Sequence, residues 1–484
     1  MPPNLLKQTQ LIFMPVSPKP SGTQLAAVIG LPTAIAMIVS SIVGSGIYKK
    51  VAPMSAELQS PTLVLMCWVL GGLVSLAGAL SNAEVAGLLA GTGGEYRYYR
   101  TIYSRFFSFL YGWSSFAVIR SASIASIAYV FSQSFNALVP LPVVSAELAS
   151  IGLFGVIFPF ENLSVKLLTV AVVLSLTWVN GRGVKLGGQI SQWLTASVLI
   201  GILTIVVFGL SSESSHLSNL QHSVPQPTHS TTMGLLTSIF TAMLAAFWAY
   251  EGWSSIGYIG GEIKNPNRNL PIVLLTGLLI VMGLYLLTNV AYLSLLPIEQ
   301  LTLIKNTPNA IAAVEAVRVF WGESGVYFIS ILILLTTLGC THTTILLAAR
   351  AYYAMAQEGL FFEKAAVLHP DNKTPNNALM IQGVWTSILI FTGSFDQLTD
   401  MLIFASFLFY GATTLGVFVL RRKMPDAPRP YKAFGYPVVP ALFIIFCVFL
   451  IFNTLQARPR EALMGIGLML TGVPFYWYWT RAKS

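Results

Sequence analysis

The stretch Gly44-Ser45-Gly46-Ile47 interrupts what is otherwise a continuous apolar helix. From Leu25 to Val43 the chain reads as a membrane span with Pro32 as its only strong breaker, and Tyr48-Lys49-Lys50 follows the glycines. Glycine inside a helix costs roughly 0.5–1 kcal/mol relative to alanine. In lipid the loosened backbone has no water to pair with, so it survives only where it lines a cavity or meets a partner. The stretch is therefore either a notch of small residues that lets helices pack closely or a break that serves a site. Taken alone it fits both.

The surrounding chain is built for a bilayer. Of 484 residues, 55% are hydrophobic and 9% charged, with a mean hydropathy of +0.71, which excludes an ordinary soluble protein. About twelve apolar segments recur, each long enough for a hydrocarbon core of roughly 30 Å. This predicts one all-α polytopic domain. Met1 to Pro20 is polar and proline-bearing, and reads as a cytosolic tail rather than a cleavable signal. Cys67, Cys340 and Cys447 all fall inside predicted spans, so no disulfide-linked accessory subunit is expected.

The net charge of +9 could suggest a nucleic-acid partner, but its placement argues for topology. Basic residues gather in alternate loops: Arg97, Arg100 and Arg105; Arg182 and Lys185; Lys264 and Arg268; Lys364 and Lys373; then Arg421-Arg422-Lys423 with Arg429 and Lys432. The loop from Ser211 to Thr232 has Glu213 and three histidines but no lysine or arginine. That alternation is the positive-inside pattern. It predicts a cell (inner) membrane protein with both termini in the cytoplasm.

Hydropathy places span 1 at about 24–49, span 2 at 61–89, span 3 at 106–138, span 4 at 163–179 and span 5 at 190–210. Span 6 covers about 234–263, span 7 270–295, span 8 326–355, span 9 378–392 and span 10 398–420. Spans 11 and 12 occupy about 437–455 and 462–479, and residues 309–319 suggest a short extracellular helix. The inner loop Gly91-Thr92-Gly93-Gly94 reads as a turn, because no strand precedes it and no Walker lysine follows.

Span 6 repeats the anomaly of span 1. Its middle is Trp248-Ala249-Tyr250-Glu251-Gly252-Trp253-Ser254-Ser255, where lipid-facing leucines would be expected. A charge at mid-membrane costs at least about 2.5–3.5 kcal/mol, so Glu251 needs a partner or a water-filled cavity. Spans 1 and 6 each open a group of five, and five is odd, so the second group inserts with opposite orientation. The predicted organisation is a tail at 1–23, repeats at 24–210 and 232–420, two further helices at 436–480 and a cytosolic tail at 481–484. Interrupted helices at corresponding positions of inverted halves point to a transporter site at the midplane. A broken helix exposes N–H groups at one half-end and C=O groups at the other, which together suit a zwitterionic amino acid.

Five motifs carry a family resemblance: Gly44 to Ile47; Gly93-Gly94-Glu95-Tyr96-Arg97-Tyr98; Trp248 to Trp253; Gly261-Glu262-Ile263-Lys264-Asn265-Pro266 through Asn269-Leu270-Pro271; and Arg421 through Arg429-Pro430-Tyr431-Lys432 to Pro437. In this order they resemble the amino acid–polyamine–organocation superfamily, and most of all bacterial members of its L-type amino-acid transporter (LAT) branch. The resemblance implies a LeuT-like fold, a 5+5 inverted repeat plus two C-terminal helices. It implies a substrate carboxylate at Gly44, Ser45 and Gly46 with Ile42 and Ile47 adjacent, and Trp248 closing over it. The ammonium would meet the carbonyls of Ile42, Trp248 and Ala249, with Tyr250, Glu251 and Gly252 completing the site. Two departures concern coupling. A lysine that relatives carry on span 5 falls on Val198, and span 8 reads Gly339-Cys340-Thr341-His342-Thr343 where relatives often have asparagine after Gly-Ser.

The ionisable residues leave coupling open. Glu251 can shape the pocket, bind a proton or pair with Arg120. Glu84 with an inner arginine makes an inner gate or a structural pair. His342 titrates near neutrality when unperturbed, while Thr341 and Thr344 offer oxygens to a sodium ion. Obligatory exchange, proton symport and sodium symport all remain. His216, His222 and His229 are spaced too loosely for a metal site, and no cofactor is expected. The leading function is alternating-access transport of L-amino acids, neutral rather than cationic if Arg120 occupies Glu251. A cationic amino-acid or polyamine carrier and a transporter-like nutrient sensor are the alternatives; an enzyme lacks any HExxH, CxxC or GxSxG motif.

Overall fold

The computed structural model describes residues 27–152, 158–225, 231–307, 310–393 and 395–481. The predicted tail at 1–23, all but Arg481 of the predicted tail at 481–484, the first residues of span 1, Asn309 and His229 lie outside them. The described chain is helical, with two isolated β-bridges. Among the described residues nine helices are long and apolar enough to cross a membrane.

Span 1 is three pieces: α1 (Leu31–Ile42), α2 (Gly46–Lys49) and α3 (Val51–Leu58). Pro32 does not break it, because it sits in the first turn, where no N–H is required. Pro61 starts α4 (Pro61–Leu88) in the same way, and Ser60 caps it by accepting from the Leu63 N–H. The loop that follows turns on Gly93 and Gly94, both at positive φ, into α5 (Glu95–Ile102). Then come α6 (Arg105–Leu138), with a π turn at Ser115–Ile119, α7 (Leu163–Asn180) and α8 (Val184–Leu210).

The second half begins with α9 (Thr232–Tyr250), capped by Thr231, and continues after a break in a 3₁₀ turn, Trp253–Tyr258. Next are α10 (Pro266–Leu295), α11 (Ile298–Asn306) and α12 (Ala312–Gln357). Gly322, at φ 59° and ψ −146°, divides α12 into a short and a long helix. The short helix predicted at 309–319 is its first part, whereas α11 was not foreseen. The chain closes with α13 (Asn376–Thr392), α14 (Phe395–Lys423), α15 (Val438–Ala457), α16 (Pro459–Leu470) and α17 (Gly472–Arg481).

The outward faces are apolar stripes. On α8, Ile200, Leu203 and Val207 are exposed, and on α15 so are Leu442, Ile445, Phe449 and Phe452. These spacings of three and four put each set on one helix face, and surfaces of this kind belong against lipid rather than water. Charge goes inside instead: Arg120, Arg350, Glu84, Glu95, Glu251 and Glu262 are all buried. The protein is an integral membrane protein turned polar-side in.

One end of the bundle is sewn shut. Ile29, just before α1, pairs with Ile263: its N–H donates to Glu262 O and its carbonyl accepts from Lys264, each at 2.9 Å. Thr92 bridges Ile259, and the Gly93 N–H donates to Tyr258 O at 2.9 Å. The approach needs glycine. A Cβ on Gly260 would lie 2.8 Å from Gly91 O, and one on Gly94 2.6 Å from the Tyr258 ring. Arg350 Nε donates to Glu262 Oε1 at 2.9 Å behind this seal. Glu84 takes two arginines, Arg421 at 2.7 Å and Arg429 at 3.2 Å, plus the Ala433 N–H at 2.7 Å.

Candidate functional site

Helix 1 breaks because Val43 leaves the helical region (φ −72°, ψ 97°) after its N–H has closed the last turn on Val39 O. The helix restarts at Gly46, and Lys50 keeps helical angles, so residues 46–58 form one run. The Tyr48 and Lys49 N–H groups return to Ser45 O at 3.3 and 3.2 Å. The N–H groups of Ser45, Gly46 and Ile47 precede them and have no helical carbonyl to meet. Ser45 Oγ is buried with no hydrogen-bond partner among the described residues. This end of the break is an array of donors at the positive end of a helix.

Helix 6 breaks at Glu251 (φ −62°, ψ 147°) and Gly252 (φ 112°). The second is a left-handed conformation that glycine adopts without strain, and a Cβ there would lie 2.4 Å from Ser41 O. The last carbonyls of α9 therefore point onward without the next turn to receive them. The two breaks touch. A Cβ on Gly46 would come 2.6 Å from both Cα and Cβ of Ala249. Tyr285, from α10, sets its hydroxyl 3.1 Å from Ile42 O and 2.9 Å from Ala249 O, reaching one carbonyl from each broken helix.

A small cavity lies between the breaks, lined by Ser41, Ile42, Gly44, Ser45, Gly46, Ser123, Ile127, Trp248, Glu251 and Cys340. Its volume is about 10 Å³, near the minimum for one water. A far larger vestibule of about 550 Å³ opens toward the other end of the bundle, lined among others by Lys49, Lys50, Pro53, Gln133, Thr241 and Ala245. Ala245 lines the vestibule, and Trp248, three residues on and on the same face of α9, lines the cavity. A still larger cavity, about 910 Å³ beside Phe361, Phe475 and Trp479, is a peripheral groove remote from the breaks. Size is a poor guide here, because the site between the breaks is closed.

Beneath the cavity Glu251 is held by two side chains. Arg120 Nη1 lies 3.4 Å from its Oε1, and the Tyr410 hydroxyl donates to the carboxylate at 2.7 and 2.9 Å from its two oxygens. Arg120 also reaches Ser254 Oγ at 3.1 Å and the Tyr258 hydroxyl at 3.3 Å, which in turn sits 2.5 Å from the Tyr111 hydroxyl. Both charges are buried, so the pair exists because each requires the other.

Residues 29–478 match the family model described as amino acid permease. The chain belongs to the amino acid permease family. This permease is 29% identical to the serine/threonine exchanger SteT of Bacillus subtilis over 458 residues, 94% of this chain and 97% of that protein. It is 29% identical to the human b(0,+)-type amino acid transporter 1 over 470 residues, 96% of this chain and 91% of the other. With the human large neutral amino acids transporter small subunit 2 it shares 30% over 471 residues, 95% and 82% of the two chains. The LAT resemblance read from five motifs therefore holds across nearly the whole permease, which is a transporter and not an enzyme.

The structure distributes the remaining predicted residues unevenly. Ile47 and Tyr250 are buried at the breaks, and Tyr250 turns its hydroxyl to Trp68 O at 3.1 Å. Val198 lines a second cavity of about 10 Å³ with Val39, Ser40, Val43, Thr195, Thr336 and Gly339. Thr341 and Thr344 spend their hydroxyls on their own helix, donating to Thr337 O at 2.7 Å and Cys340 O at 2.8 Å. Thr343 is the one that faces helix 1, with Oγ1 3.1 Å from Ser40 Oγ and 2.5 Å from Ser191 Oγ. His342 is buried and its carbonyl accepts from Asn180 at 3.1 Å. Among the described residues no group of three His, Cys, Asp or Glu side chains could hold a metal ion.

Several residues of the site were missed from sequence. Ser123 and Ile127 follow Arg120 at i+3 and i+7, so helical spacing alone puts them on its face. Cys340 packs its Sγ 3.4 Å from Ser41 O and was noted in the span 8 stretch but not as a residue of the site. Tyr285 and Tyr410 carry no local signal, since each sits in an ordinary apolar span.

Proposed function

We propose that this permease moves L-amino acids, neutral rather than cationic, by alternating access between the two breaks. The observation that carries the reading is the convergence of the helix 1 donors and the helix 6 carbonyls on one cavity, with Gly46 seated on Ala249. The α-carboxylate meets the N–H groups of Ser45, Gly46 and Ile47 and the Ser45 hydroxyl. The ammonium meets the carbonyls of Ile42, Trp248 and Ala249. Trp248 swings aside to admit the substrate from the vestibule, and the cavity expands from its closed volume as it enters. A neutral side chain suits Glu251 best, because Arg120 and Tyr410 already answer its charge.

The same reading assigns twelve spans in two inverted groups of five plus two. Span 1 is divided at its break, α13 is 17 residues long and the last span is divided between α16 and α17. With nine long helices these three make twelve. Basic loops at the sealed end put that end and both termini in the cytoplasm, and the vestibule then faces out.

Uptake of radiolabelled amino acids into proteoliposomes, competed by an amino-acid panel, tests the proposal. Serine, threonine or larger neutral amino acids should compete best. Dominant competition by lysine, arginine or putrescine would replace it with the cationic reading, in which Glu251 leaves Arg120 for the substrate amine. Binding without transmembrane movement under any imposed gradient would make the protein a sensor.

A further inference from the structure

Four carboxylates are buried among the described residues: Glu84, Glu95, Glu251 and Glu262. Three of them hold an arginine within 3.4 Å: Glu84 has Arg421 and Arg429, Glu262 has Arg350, and Glu251 has Arg120. Glu95 has none. It is 1% exposed, and neither of its oxygens has a hydrogen-bond partner among the described residues.

Its surroundings are phenolic. Tyr98 and Tyr99 of α5, Tyr111 of α6 and Tyr258 after the helix 6 break all feel its charge. Arg97 on its own helix is exposed and turned under Gly91. From α12 Tyr352 faces Tyr258 and Arg120, and from α14 Tyr410 faces Arg120 and Glu251. Among the described residues the only buried cation acting on it is Arg120, already engaged by Glu251, Ser254 and Tyr258. Burial pushes the Glu95 carboxyl above the ordinary carboxylate range, and the attraction of Arg120 offsets this only in part. The Ser254 and Tyr111 hydroxyls stand near enough to favour the charged form, without either completing a hydrogen bond to it.

Two buried carboxylates against one guanidinium leave one negative charge unbalanced, and a proton shared by the set removes it. The two ends of the set abut different parts of the bundle. Glu251 lines the cavity below Trp248. Glu95 follows directly on the Gly93-Gly94 turn that is pressed against Tyr258 and Gly257 in the seal.

We infer that Glu95 is the proton-release site of the transport cycle: the Glu251–Arg120–Glu95 set takes up one proton from the vestibule side, and Glu95 gives it to water when the seal of residues 91–94 on 257–261 parts. The carboxylic acid becomes a carboxylate and one hydronium ion appears on the sealed side. One proton thus accompanies each inward substrate movement. This rests on the transport reading above and assigns its coupling ion.

The test is a proteoliposome assay with a pH-sensitive dye trapped inside, run in parallel with labelled substrate. Wild-type protein should acidify the lumen at about one proton per amino acid, with net uptake rising as the outer pH falls. In Glu95→Gln, which fixes the neutral form, protons per amino acid should fall to zero and the pH dependence of net uptake should flatten. An unchanged proton ratio in Glu95→Gln overturns the inference, as does wild-type uptake that moves no protons. If Glu95→Gln transports nothing, infrared spectroscopy of the purified proteins decides. The carbonyl band of a protonated carboxyl should be present at neutral pH in wild type and missing in Glu95→Gln. Persistence of that band in Glu95→Gln refutes the site, and this readout stands even if the wild-type protein proves not to be a transporter.

Discussion

The two broken helices solve the same problem with different means. The break in helix 1 is made of backbone: Gly44-Ser45-Gly46 brings no charge and offers N–H groups and one hydroxyl. The break in helix 6 is made of side chains, with Glu251 tied to Arg120 and Tyr410 and the flanking Ser254 tied to the same guanidinium. A backbone break tolerates almost no added volume, because its groups must approach another backbone. The helix 6 break, equally closed to a Cβ at Gly252, fails as well on the loss of one partner, because a buried charge is then left alone. The comparison is sharpened or broken by four substitutions.

Gly46→Val should have the largest effect. Its branched Cβ would need the space of Ala249 Cα at 2.6 Å, so the breaks must separate, and overpacking of this kind costs about 1–3 kcal/mol. Uptake should fall below detection while the protein still reaches the membrane; retained uptake would detach the helix 1 break from the site. Arg120→Met comes next. It strands the Glu251 charge, and losing one partner of a buried pair costs about 3–5 kcal/mol. Thermal unfolding in detergent should show Arg120→Met well below wild type and Arg120→Met/Glu251→Leu recovering most of the loss. Equal losses in the single and double variants would mean that the pair does not matter as a pair.

Trp248→Ala removes a ring that lines the cavity between the breaks. Apparent affinity should weaken by about ten-fold, the equivalent of roughly 1.4 kcal/mol, and an unchanged KM would take Trp248 out of substrate closure. Tyr285→Phe should have the smallest effect. It deletes one hydroxyl that reaches Ile42 O and Ala249 O, an interaction worth about 1 kcal/mol. KM should change about five-fold, with the aromatic packing on Trp68 and Tyr250 intact; no change would mean that these two carbonyls need no tie.

Much of this was open to reading along the chain. Gly252 betrays a break because it sits beside a glutamate inside an apolar span, and Glu251 then demands a partner that Arg120 is placed to supply. Pro32 misled, since a proline in the first turn of a helix looks identical in sequence to one in its middle. Thr341 and Thr344 were favoured over Thr343 for want of rotational phase. Residues one apart on a helix differ by about 100° in direction, and only packing told which of them faces Ser40.

Sequence by itself determined the membrane setting, the positions of both breaks and the family, because hydrophobic length, misplaced glycines and misplaced charge are local properties that lipid punishes wherever they occur. Only the tertiary structure decided that the two breaks meet at Gly46 and Ala249, that Tyr285 spans their carbonyls, and that Glu95 alone of four buried carboxylates has no arginine of its own. These are facts about neighbours far apart in the chain. A side chain's partner is set by how helices pack, and the residue's own surroundings in sequence do not record it.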